Sequence, residues 1–106
     1  VSPEIKIVLT TFDDVERARE VARILVEEAL VACAQLDRSP IDSVYRWRGR
    51  LESAIEYRLV LKIDPERLER VRLRLLELHP YDTPQFVVIP ASASEDYARW
   101  VRETSR

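Results

Sequence analysis

Ile41-Asp42-Ser43-Val44-Tyr45-Arg46-Trp47-Arg48-Gly49-Arg50-Leu51 alternates apolar and polar residues up to a glycine and then starts again. Alternation of period two on both sides of a turn predicts a β-hairpin. Ile41, Ser43, Tyr45 and Trp47 fall on one side of the first leg, and Asp42, Val44 and Arg46 on the other. Arg48-Gly49-Arg50 reads as the turn, with Gly49 free to take positive φ. The return leg covers residues 51–63. Ile55, Tyr57, Leu59, Leu61 and Ile63 share one of its faces, and Glu56, Arg58, Val60 and Lys62 the other. A typical strand has about five or six residues, so both legs outrun the helices that flank them in sequence. The tip is expected to expose Tyr45, Trp47, Leu51 and Ile55 as one aromatic and aliphatic patch, which marks a partner surface.

Working outward, residues 5–10 alternate, with Ile5, Ile7 and Leu9 on one side and Lys6, Val8 and Thr10 on the other. Val8 makes both faces largely apolar, as in a central strand. Asp13 with Glu16 has the spacing of a capping box. Val15, Ala18, Val21, Ala22, Leu25, Val26 and Ala29 then follow helical spacing. Residues 32–36 form a second strand of small residues around Cys33, interrupted at Asp37-Arg38-Ser39-Pro40 because proline cannot donate to a ladder. After the hairpin, Asp64-Pro65-Glu66 opens a second helix with Asp as cap and Pro in the first turn. Its apolar stripe is Leu68, Val71, Leu75 and Leu78, widened by Leu76. A last strand spans residues 85–89 and stops at Pro90. Ser92 with Glu95 then caps a final helix that docks through Tyr97, Trp100 and Val101.

The order βαββαβ plus a short helix, joined by right-handed crossovers, gives a ferredoxin-like α+β sandwich with two helices on one face of an antiparallel sheet. One domain over residues 1–106 accounts for the whole chain. The sheet face away from the helices is expected to carry Val8 and Val60 and to need cover. A cyclic homo-oligomer that pairs extended strands across subunits covers that face and the hairpin together.

Composition removes several function classes. The net charge of −2 and pI near 5.5 lack the basic excess of a nucleic-acid binder. Cys33 is the single cysteine, which excludes an internal disulfide and fits a reducing, cytoplasmic setting. No stretch has the length and apolarity of a membrane span, and no signal-peptide pattern opens the chain. With no methionine present, a natural N-terminal stretch, with or without a targeting segment, is expected before Val1. Gly49 is the only glycine, so no glycine-rich phosphate loop can form. Scarce glycine, capped helices and abundant Arg and Glu predict heat resistance.

Leu78-His79-Pro80-Tyr81-Asp82-Thr83-Pro84-Gln85 holds the only histidine. Each proline disfavours the α region for the residue before it, so the second helix should end near His79 in an ordered corner. Cys33 and His79 are of the types that bind Cu(I) or Zn, and Asp82 could add an oxygen. A closed site wants about four ligands, so such a site needs more than one subunit; the alternative is Cys33 as packing. Glu56, Arg58 and Lys62 share a sheet face. They form either a solvated charged patch or a pocket for a small anion or polar metabolite near Tyr81 and Trp47. No serine or cysteine nucleophile motif accompanies His79 and Asp82, so an enzyme is not expected.

Ser43-Val44-Tyr45-Arg46-Trp47-Arg48-Gly49, Glu56, Leu61-Lys62, His79-Pro80-Tyr81-Asp82-Thr83-Pro84 and Tyr97-Ala98-Arg99-Trp100 together resemble the CutA family, named for divalent-cation tolerance. The likeness includes Leu9-Thr10-Thr11 and Ala32-Cys33-Ala34 and so spans nearly the whole chain. It implies a homotrimer joined through the extended hairpin and related in architecture to PII signalling proteins. It also implies a role in tolerance of copper or other divalent metals, without catalysis. The ligand-binding candidates are then Tyr45, Trp47, Glu56, Lys62, Tyr81 and Asp82, and the metal candidates, on the chemistry of their side chains, Cys33 and His79. A PII-like metabolite sensor with incidental metal binding is the alternative. The chain departs from the family pattern at Gln35, Arg48, Ile63 and Gln85. It has Thr10 and Leu78 where members with a proposed copper site carry cysteine and histidine.

Overall fold

The computed structural model describes residues 3–105. Its elements are β1 (Glu4–Phe12), α1 (Val15–Glu27), β2 (Cys33–Leu36), β3 (Ile41–Trp47) and β4 (Arg50–Ile63), followed by a 3-10 turn (Pro65–Arg67), α2 (Leu68–Leu78), β5 (Val87–Ser92) and α3 (Glu95–Thr104). The sheet order is β2-β4-β1-β5, every pairing antiparallel, and β3 continues along β4 beyond β2. This is the expected ferredoxin-like sandwich with β2 and β3 sharing one long partner.

The interruption after β2 has a simple geometry. Leu36 faces Leu59 and Ile41 faces Glu56, so residues 37–40 oppose only Tyr57 and Arg58. The extra residues bulge out around Pro40, while the Asp37 amide still donates to the Arg58 carbonyl at 2.9 Å.

The hairpin turn is shorter than its sequence suggests. Arg48 (φ 51°) and Gly49 (φ 77°) are its two central residues, and Arg50 already pairs with Trp47. Both torsions are left-handed, as a two-residue turn matched to strand twist requires. Register follows from turn length, and a shift of one residue moves side chains to the other face. Tyr45 and Trp47 therefore share a face with Glu52, Ala54 and Glu56, while Val44, Leu51 and Ile55 lie on the opposite face. The single patch expected from a three-residue turn is in fact two apolar faces of one ribbon. Val44 and Leu51 are 68% and 72% exposed on one side, and Tyr45 and Trp47 45% and 40% on the other.

Helix ends correct the sequence reading in detail. Asp14, not Asp13, caps α1: it is extended, and its carboxylate accepts from the amides of Glu16 and Arg17. At the other end Ala29 takes φ 57°; its amide donates to Val26 and that of Leu30 to Leu25, a Schellman closure without glycine. Asp64 caps the 3-10 turn that leads into α2, and α2 ends at His79 as expected. Ser94 rather than Ser92 caps α3, because Ser92 is still paired with Glu4 in β5. Pro90 lies inside β5 opposite Lys6. An edge strand has one unpaired side, which tolerates the missing N–H.

Val8, Phe12, Leu59, Leu61 and Ile63 meet Ala18, Val21 and Leu25 of α1 and Val71 and Leu75 of α2 in the main core. Val8 thus faces the helices; the opposite sheet face carries Ile7, Leu9 and Val60 instead. Alternation separates two faces of a strand but does not say which one the helices cover. On that second face α3 packs Ala98 and Val101 against Ile5 and Ala32. Trp100 is turned out and 45% exposed, and Leu76 likewise lies outside the buried stripe of α2. The ribbon stretches the molecule to 46 × 25 × 24 Å. Its radius of gyration, 14.4 Å, exceeds the value of about 13 Å for a compact chain of this length.

Candidate functional site

The corner after α2 is built on β1. Phe12, the last residue of β1, stacks on His79 with ring centroids 4.1 Å apart and planes 17° from parallel. His79 Nε2 lies 2.8 Å from the Thr11 carbonyl oxygen, and the Tyr81 amide donates to Nδ1 at 3.2 Å. A carbonyl only accepts and an amide N–H only donates, so the ring is neutral and protonated at Nε2. Burial is the main cause that holds its pKa below the ordinary histidine value; the Thr11 carbonyl and the charges of Asp13 and Glu56 oppose it.

From there the chain carries Tyr81 to the hairpin. Its phenol donates to Glu56 Oε2 at 2.9 Å, and its ring meets His79 edge-on with centroids 4.6 Å apart. Burial first, then this hydrogen bond, pushes the phenol well above its ordinary pKa, so it stays a donor. Glu56 is only 8% exposed. Asp82 points outward, 3.9 Å from the Arg48 guanidinium, which in turn sits 5.4 Å from the centre of the Trp47 ring. Tyr45, Trp47, Glu56, Tyr81 and Asp82 are therefore gathered along one side of the ribbon and its corner.

Lys62 does not join them. It lies six residues from Glu56 along β4, about 20 Å at strand spacing, with its ammonium over the Tyr97 ring at 5.6 Å. Cys33 and His79 are also apart. Cys33 faces Lys62, which faces Ile7, whereas His79 bonds to Thr11; four residues of strand, about 13 Å, separate those levels. Both ring nitrogens of His79 are engaged, so neither offers a lone pair unless a bond is given up. Among the described residues no three His, Cys, Asp or Glu side chains stand close enough to hold a metal ion. The donors of one chain do not fit a resident metal.

Sequence reasoning missed the part played by Phe12, because its alternation was followed only to Thr10. It also missed the Arg48 bridge to Asp82, since no local spacing links residues 34 positions apart. A further surprise is Thr10: its hydroxyl is fully buried and has no hydrogen-bond partner among the described residues.

A ferredoxin-like sandwich drawn out into a β-ribbon, with aromatic and carboxylate side chains gathered along one side of that ribbon, defines a PII-like class of small α+β protein. The profile of the CutA1 divalent ion tolerance protein family matches residues 6–104, and the chain belongs to that family. The divalent-cation tolerance protein CutA of Pyrococcus horikoshii is 38% identical over 101 residues, 94% of this chain and 97% of that one. The solved structure of the PII-like protein CutA from Nostoc sp. PCC 7120 in apo form superposes with a TM-score of 0.88 at 38% identity, covering 95% of this chain and 97% of that chain. That of the periplasmic divalent cation tolerance protein CutA from Archaeoglobus fulgidus superposes with a TM-score of 0.90 at 29% identity, covering 96% and 99%.

Proposed function

We propose that this protein works as a homotrimeric, non-catalytic binding and signalling protein of divalent-metal tolerance. Its ligand cleft lies beside Tyr45, Trp47, Glu56, Tyr81 and Asp82. The observation that carries the reading is the ribbon with two apolar faces. A two-stranded hairpin is marginal alone in water, and this one exposes Val44, Leu51 and Ile55 on one side and two aromatics on the other. The sheet face away from α1 and α2 adds exposed Val87 and Ile89 beside Ile7 and Leu9. Copies that cover the Val44, Leu51 and Ile55 face leave the Tyr45 and Trp47 side, which shares a β4 face with Val60, as the wall of a lateral cleft.

The same arrangement favours metabolite sensing over a metal centre within one chain. His79 spends both nitrogens on holding the corner, and Glu56, a buried carboxylate, accepts the Tyr81 phenol on the Tyr45 and Trp47 side of the ribbon. Copper or another divalent ion would then bind with donors from more than one copy, Cys33 among them. A cytoplasmic setting suits Cys33, which is unpaired. Calorimetric titration of the purified oligomer with Cu(II), Zn(II) and a nucleotide panel tests the reading. Metabolite heat lost in Tyr81→Phe and kept in Cys33→Ser supports the cleft. Metal heat lost in His79→Ala at unchanged oligomeric state overturns it.

A further inference from the structure

We propose that the cleft binds a linear organic polycation, a polyamine in chemical class, through Glu56 and Glu52, with the ring of Tyr45 level with Glu52 and that of Trp47 beyond it. The inference rests on the cleft reading above and gives it a ligand charge opposite to the small anion suggested by Lys62 and Arg58. Glu56 is nine-tenths buried, yet no ion pair reaches it among the described residues. Its hydrogen bond comes from the neutral Tyr81 phenol, on Oε2. A buried carboxylate without a cation is costly. Its other oxygen is not sealed: among the described residues, Thr10 Oγ1 is the only side-chain polar atom that is both fully buried and unpartnered. Oε1 therefore opens to the surface and is available to a donor from outside.

The register supplies the rest of the site. Glu52 sits opposite Tyr45 and Glu56 opposite Ile41, on one face of the ribbon. Four residues of strand put the two carboxylates about 13 Å apart with Tyr45 in the same row. Glu52 too is reached by no ion pair among the described residues. Trp47 continues that row, and its ring already attracts the Arg48 guanidinium at 5.4 Å. Aromatic faces and carboxylates both favour ammonium groups, and the spacing asks for at least two of them on one chain. On the shared face Lys62 stands with Tyr97, six residues from Glu56, and Arg58, two residues from Glu56, forms no ion pair with it among the described residues.

Spermidine is the probe, titrated calorimetrically into the intact oligomer, with methylamine and inorganic phosphate as comparisons. Spermidine is expected to bind once per chain and more tightly than methylamine, with no phosphate heat. Glu56→Gln keeps an acceptor for Tyr81 and should weaken spermidine at least about tenfold, or about 1.4 kcal/mol. Glu52→Gln, on the exposed ribbon, should weaken spermidine several-fold and leave methylamine unchanged. Spermidine affinity unaltered by both substitutions means diffuse attraction to an acidic protein and overturns the proposal, as does preferential phosphate binding. Light scattering on the same samples separates the two levels. A trimer that ignores spermidine sinks this inference alone, whereas a monomer sinks the assembly on which the cleft depends.

Discussion

The ring of His79 lies flat against that of Phe12, 4.1 Å between centroids, so the end of β1 carries the corner that ends α2. With Nε2 and Nδ1 both in hydrogen bonds, the imidazole serves as a structural joint between Thr11 and Tyr81. Removing it should loosen the corner and, through Tyr81, release Glu56.

That joint makes stability depend on pH in a defined direction. Burial, the largest influence, lowers the His79 pKa in the folded chain, whereas the unfolded value is about 6.5. Below about pH 6.5 the unfolded chain binds more protons than the folded one, so this contribution is complete above that pH and is lost as pH falls through the folded pKa. Urea midpoints at several pH values between 7.5 and 5.5 should fall on acidification. His79→Gln should flatten that dependence and cost about 1–3 kcal/mol at neutral pH. An unchanged slope in the variant would assign the pH effect elsewhere.

Thr10 carries a hydroxyl into the main core with no partner among the described residues. Thr10→Val keeps the shape and removes an unsatisfied polar group, so it should stabilise the fold by about 1 kcal/mol. Chemical denaturation checks this; a destabilised Thr10→Val would reveal a partner for the hydroxyl.

Ala29 closes α1 with φ 57°, a torsion that costs an L-residue about 1–2 kcal/mol. Ala29→Gly should therefore raise stability by up to about 1 kcal/mol, against the usual penalty for glycine. Glycine at neighbouring Glu27, inside the helix, should do the reverse. Equal losses at both positions would contradict the closure described.

Heat resistance is the fourth expectation. Glu20, Arg23 and Glu27 form a chain of ion pairs along α1, and Arg74 bridges Glu28 and Glu77 between helices. Single exposed pairs contribute about 0–1 kcal/mol, but networks gain weight at high temperature. A thermal melt should show a midpoint above the ordinary range of about 45–65 °C, and a midpoint within it would refute the expectation.

Much of the architecture was legible because punctuation and periodicity agreed. Pro40 and Gly49 bracket β3, and its bounds come out as read; Pro80 ends α2 where expected. Ambiguity entered where two residues could do one job locally. Asp13 and Asp14 can each cap α1, as Ser92 and Ser94 can α3, and tertiary pairing decides between them. Pro90 reads as a stop unless β5 is known to be an edge. The ribbon faces turned on whether Arg50 belongs to the turn or to β4, a difference of one residue that moves Leu51 and Ile55 to the other side. The site was legible as residue types but not as a geometry: Tyr81 and Glu56 meet across 25 positions, while Lys62 does not come near.

The account stands on copies of this chain shielding one another, and particle mass in solution tests that most directly. Light scattering coupled to size-exclusion chromatography should report three times the 12.4 kDa chain mass, falling when Leu51→Asp and Ile55→Asp are combined. In an isolated subunit both positions are solvent-facing, and such changes would be nearly neutral. A soluble, cooperatively folded particle of 12.4 kDa, unaltered by those substitutions, would contradict it.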